Sequence, residues 1–175
     1  MNKVLFSLVF FFISYAAAAQ KTYEILSDSE DQNSKMLRGA ISKEDITTDT
    51  SFFKWYAESR RIYSRPDSSI VAAFRENKDK IYFIVFGGTW CEDTHYILPK
   101  LFKLQEESGF PENRITLFAL DRNKHSTENI AEALNVISVP TIVVMKDGKE
   151  IGRIIEYGKT GYWDKELAGI INGKK

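Results

Sequence analysis

The chain has 175 residues, of which 43% are hydrophobic and 27% charged, with 24 basic side chains against 24 acidic ones. That profile excludes a disordered, collagen-like or repetitive protein, and zero net charge argues against a nucleic-acid partner, which needs a basic excess. One cysteine, Cys91, rules out an intramolecular disulfide and a Cys-rich zinc centre, and two histidines, His95 and His125, leave little for any metal.

Lys3 precedes an apolar run over residues 4–13, broken only by Ser7, and small residues follow at Ala16, Ala17, Ala18 and Ala19. A basic start, a short apolar middle and a small-residue end read as a secretory signal peptide at residues 1–19. The alternative is an uncleaved anchor, for which the apolar part falls short of the ~20 residues that a spanning helix needs. The expected location is therefore periplasmic or secreted, without membrane contact after cleavage. An odd cysteine in an oxidising compartment is either inert or reacts with another molecule.

Residues 20–50 read as a flexible leader and a short N-terminal segment, since residues 27–35 contain no apolar side chain. Met36, Leu37, Ile41 and Ile46 allow one short strand. Residues 51–63 predict a helix with Phe52, Tyr56 and the Arg60 stem on one face. Core packing is the expected use of these aromatics, with a ligand groove as the alternative. Pro66 ends that helix, and Asp67-Ser68-Ser69 caps another that runs to about residue 77.

The apolar run over residues 81–86 predicts a central strand, ended by Gly87 and Gly88. A helix over 97–107, a strand over 115–120, a helix over 127–134 and a strand over 141–145 follow. Asp147-Gly148 makes a hairpin turn into a strand over 150–156, and a helix over 163–171 closes the chain. Residues 51–175 are thus expected to be one domain of order β-α-β-α-β-β-α behind an N-terminal helical extension.

This order resembles the thioredoxin superfamily over about residues 70–173, given three motifs in sequence. They are Gly88-Thr89-Trp90-Cys91 after the first strand, Ser138-Val139-Pro140-Thr141 before the third, and the Lys146-Asp147-Gly148-Lys149 turn. The pattern from Gly88 to Thr94, with an aromatic helix upstream, is similar to exported thioredoxin-like proteins that lack the second cysteine. The resemblance implies an α/β class, with a three-layer α/β/α fold around a mixed sheet. It also implies a cis bond before Pro140 facing the reactive cysteine, with Val139 offering its backbone to an extended substrate strand. A proline that merely opens a strand is the alternative.

A cysteine at a helix N-terminus sits beside unpaired backbone N–H groups that favour its thiolate, the attacking form. Thr94 is placed to hydrogen-bond the Cys91 sulfur and His95 to add positive charge, while the carboxylates of Glu92 and Asp93 work against the thiolate. The candidate catalytic residues are Cys91 and Thr94, and the candidate substrate-binding residues are Trp90, Val139, Pro140 and His95. No metal and no cofactor is expected. The loop carrying Asp121, Arg122 and Lys124 should lie at the site edge, with His125 on the surface.

The sequence departs from the superfamily pattern twice. Cys-x-x-Cys is here Cys91-Glu92-Asp93-Thr94, so no second thiolate is present to release a bound substrate. The buried Asp that thioredoxins use as a proton relay is matched by Val85. Two functions stay open: monothiol exchange with a protein or small-molecule thiol or disulfide, resolved by an external thiol, and a non-catalytic binding or chaperone module using the cis-proline groove. A peroxidase is disfavoured because Thr89 stands one position too close to Cys91, and iron–sulfur binding because Glu92-Asp93 replaces small residues.

Overall fold

The computed structural model describes residues 22–174, and the expected signal peptide lies outside that span. Strand β1 (Tyr23–Ser27) and strand β2 (Lys35–Ile41) lead into helix α1 (Lys43–Thr47). Helices α2 (Thr50–Ile62) and α3 (Ser68–Asn77) follow, each capped by an aspartate, Asp49 and Asp67, that accepts a backbone N–H. Then come β3 (Ile81–Gly87), α4 (Glu92–Ser108), β4 (Ile115–Ala119), α5 (Ile130–Ala133), β5 (Thr141–Lys146), β6 (Lys149–Ile155) and α6 (Trp163–Ile171). The sheet order is β1-β2-β4-β3-β5-β6.

The pairing follows from the connections. β3 and β4 run parallel and are joined by the α4 crossover, as parallel neighbours require. β5 runs antiparallel to both β3 and β6, and the tight turn into β6 uses Asp147 and Gly148 at φ 51° and 74°. Alternate side chains of β3 enter different clusters. Ile81, Phe83 and Val85 join the larger core with α1, α2, α3, α4 and α6, where Phe74, Phe83 and Phe110 meet at centroid distances of 5.1–5.9 Å. Phe86 joins a smaller cluster with Leu120, Ala131, Val136, Val139 and Val143 under α5. The architecture is a mixed sheet between helices, of the α/β class.

Three elements depart from expectation. Residues 20–50, read as a flexible leader with one strand, instead hold a β-hairpin and a capped helix among the described residues. β2 pairs with β4 and buries Met36, Leu37 and Ile41, so β4 is not left as an open edge. The polar run is the hairpin's connection, which needs no apolar residue. Its return depends on Gly39, at φ +120°, where an added Cβ would lie 2.6 Å from the Thr22 carbonyl oxygen. The helix expected over 127–134 shrinks to one turn, because Asn129 and Asn135 on either side take φ 51° and 52°. α4 begins at Glu92, well before the apolar spacing becomes visible.

The hairpin loop is pinned by a buried carboxylate. Asp28, 3% exposed, accepts from Arg122 Nε at 2.6 Å and Nη2 at 2.9 Å, and from the Glu30 N–H at 3.0 Å. The Arg122 hydrogen bonds hold the Asp28 carboxyl below its ordinary value, against the opposing effect of burial.

Two outcomes test this packing. Phe74→Ala, at a fully buried site, should cost about 3–5 kcal/mol in denaturant unfolding. A carboxylate with a depressed folded value stabilises the fold above its unfolded value of ~3.9, and that contribution is lost as pH falls through the lower folded value. Asp28→Asn should therefore lower Tm at pH 7, with the gap to wild type closing as pH falls below the unfolded carboxylate value and through the lower folded one in circular-dichroism melts. A gap that stays constant with pH would contradict the pairing.

Candidate active site at the start of α4

The turn from β3 into α4 is short and every part of it is tied down. Gly87 and Gly88 are required by close approach: a Cβ on Gly88 would lie 2.7 Å from the Trp90 ring, and one on Gly87 would lie 2.9 Å from Thr94 Cγ2. The Cys91 N–H donates to the Gly88 carbonyl at 3.0 Å, and the Cys91 carbonyl accepts the first bond of the helix, from the His95 N–H at 3.0 Å. Cys91 is thus the N-cap residue of α4, in extended conformation (φ −98°, ψ 122°).

The sulfur is half-buried and its thiol donates to the Val139 carbonyl at 3.4 Å. The Val139–Pro140 bond is cis. Val139 is itself buried in the smaller cluster, against which Cys91 and Trp90 pack, so its carbonyl is engaged by the thiol. That hydrogen bond lasts only while the sulfur keeps its proton. Around it stand the N–H groups of the first turn of α4, which favour negative charge, and the carboxylates of Glu92 and Asp93, which oppose it. Burial, with the Asp93 carboxylate nearby, raises the Tyr157 phenol to about 12.

Two expected roles are corrected. Thr94 is 2% exposed, and its Oγ1 accepts from the Gly88 N–H at 3.1 Å instead of serving the sulfur. A buried N–H without a partner is costly, so the backbone claims the hydroxyl. His95 turns away as well: Nε2–H donates to the Thr89 carbonyl at 2.7 Å and the ring stacks on Trp55 at 4.3 Å. Burial lowers its pKa, so at neutral pH it adds no positive charge. Trp90 is anchored by Nε1–H donating to the Leu120 carbonyl at 2.8 Å.

The N-terminal hairpin, absent from the expected site, reaches it at three points. The Leu37 N–H donates to Thr89 Oγ1 at 3.0 Å, Arg38 pairs with Asp121 at 3.3 Å, and Asp28 holds Arg122. Beside them a cleft of about 620 Å³ runs past Phe52, Trp55, Trp90, Glu92 and His95 under the hairpin loop. Nothing in residues 27–35 announces this, because the partners lie some 90 positions away. Arg122 and Asp121 sit where the loop after β4 was expected, at the edge of the site. Among the described residues, no cluster of three or more His, Cys, Asp or Glu side chains could hold a metal.

Comparison with known proteins agrees with this geometry. A thioredoxin-like domain family model matches residues 68–168, more than half of the chain. The thioredoxin of Listeria monocytogenes is 29% identical over 98 residues, covering 56% of this chain and 86% of that protein. The thioredoxin of Echinococcus granulosus is 29% identical over 83 residues, covering 47% and 72%. A solved Pseudomonas aeruginosa protein of unknown function has a TM-score of 0.57 at 15% identity, over 77% of this chain and 93% of its own, a likeness of fold alone. Thiol–disulfide redox chemistry on protein thiols and disulfides is what the family has in common. The chain belongs to the thioredoxin-like domain family.

Proposed function

We propose that the protein is exported to the periplasm or beyond and performs monothiol thiol–disulfide exchange through Cys91. The observation that carries this reading is one half-buried sulfur at the amino end of α4, with Thr94 where a resolving cysteine would stand. In the first step the Cys91 thiolate attacks one sulfur of a disulfide, forms a mixed disulfide with it, and expels the other sulfur as a thiolate that takes up a proton. In the second, an external thiolate attacks the partner's sulfur in that mixed disulfide and returns Cys91 as a thiolate. Cys91 ends as it began, and the external thiol ends in a disulfide with the partner's sulfur, so one disulfide has been exchanged for another. Trp90, Val139 and Pro140 frame the approach, while Thr94 and His95 hold the turn rather than the sulfur.

One observation favours a second reading. The thiol of Cys91 donates to Val139 and packs against the smaller cluster, as a cysteine with a packing role would in a non-catalytic binding module.

The two separate in a turnover assay, in which a small monothiol reduces a peptide mixed disulfide with and without the protein. Exchange predicts acceleration that Cys91→Ser abolishes; equal rates with and without wild type would leave only the binding module. Thr94→Val orphans the Gly88 N–H and should cost about 1–3 kcal/mol in unfolding while slowing exchange, and Thr94→Ser should restore both.

A further inference from the structure

Exchange at Cys91 draws nothing from the cleft of about 620 Å³, yet the residues on either side of Cys91, Trp90 and Glu92, both line it. The hairpin loop and the first turns of α2 and α4 enclose it, and its volume lies in the range of ligand sites. The family match covers residues 68–168, so Asp31, Phe52 and Trp55 belong to the part of the chain outside that match.

The basic groups that line the cleft are already paired. Lys35 meets Asp49 at 2.6 Å, and Arg122 is shared by Asp28 and Glu30, each at 2.6 Å. Two acids are not. Asp31 and Glu92 are exposed and, among the described residues, stand in no ion pair; Asp31 accepts the Asn33 N–H of its own loop at 3.1 Å. The aromatic rings divide in the same way. Lys35 lies 5.6 Å from the Phe52 centroid and Arg122 4.8 Å from that of Trp90, whereas half-buried Trp55 has no cation over it among the described residues. It stacks instead on His95, which is neutral at neutral pH. Two groups oppose a further cation: the amino end of α4, and Lys124, with Nζ 5.0 Å from the Trp90 centroid. With Lys124 included, carboxylates still outnumber bases around the cleft.

We infer that this cleft is a specificity pocket for the exchange reaction, taking a lysine or arginine side chain next to the cysteine of a peptide disulfide.

The inference rests on the exchange reading and names the class of its substrate. A basic side chain suits the pocket at both ends, with an apolar stem for the Trp55 ring and a cationic head for Asp31 and Glu92. A two-carbon aminothiol would leave most of the volume unfilled, and an acidic peptide would meet the excess of carboxylates. The bonds made and broken are those of the first exchange step: the pocket holds the side chain while Cys91 bonds to the peptide sulfur and the other sulfur leaves as a thiolate.

The test uses acetylated, amidated tripeptides with a central cysteine joined to thionitrobenzoate and flanked on both sides by lysine, glutamine or glutamate. Release of the coloured thionitrobenzoate anion by the chain from residue 20 onward gives the rate. Dividing by the rate of 2-mercaptoethanol on the same peptide removes the peptide's own effect on its disulfide. The lysine peptide should exceed the glutamate peptide by about fivefold, with glutamine between, and added salt should narrow the gap. The isosteric, exposed double variant Asp31→Asn/Glu92→Gln should bring the three rates together. Glu76→Gln, an exposed acid near the end of α3 that does not line the cleft, should keep the preference. Equal rates for the three peptides with wild type, a preference that the double variant keeps, or one that Glu76→Gln loses equally would each overturn this inference alone. A wild-type chain that releases nothing from any peptide overturns both it and the exchange reading.

Discussion

The turn between β3 and α4 is the constraint on which the site depends. Four residues carry the chain from a buried strand into a helix, and their polar groups are claimed by fixed partners: Thr94 on Gly88, His95 on Thr89, Leu37 on the Thr89 hydroxyl, and Leu120 on the Trp90 indole. Two glycines let the Trp90 ring and the Thr94 side chain close over the backbone. The sulfur is therefore presented by the backbone at a helix terminus, where orphan N–H groups favour an anion. Its position does not rely on any residue built to touch it.

That arrangement explains why the departures from the Cys-x-x-Cys pattern leave the fold intact. Thr94 fills the place of a second thiol with a hydroxyl that caps the turn, and Val85, 1% exposed, fills the place of a buried acid with an aliphatic side chain. Both side chains are buried. Both replacements also remove parts that a dithiol cycle needs, since intramolecular release requires a second thiolate. Under the proposed exchange, what remains is a site that forms a mixed disulfide and depends on another molecule to resolve it.

Much of the domain was legible because its signals are local. The apolar run at β3, the aspartate cap at Asp67, the Asp147-Gly148 turn and the closing helix α6 each declare themselves within a few residues. The hairpin β1–β2 was not legible, because its stability comes from pairing with β4 and from Asp28 meeting Arg122 far along the chain. At the site, Cys91, Trp90 and the Val139–Pro140 segment converge as their order suggested. Thr94 and His95 were placed correctly along the helix but given the wrong partners. Spacing brings a side chain near the sulfur, whereas the demand of buried backbone groups for hydrogen bonds decides what it binds.

The central claim, a lone sulfur that forms and releases mixed disulfides, is tested most directly by intact-mass spectrometry of the native protein after exposure to glutathione disulfide. The account predicts one glutathione adduct per chain, located at Cys91 and removed when a small monothiol is added. A protein that stays unmodified while folded, and accepts the adduct only after denaturation, would contradict it.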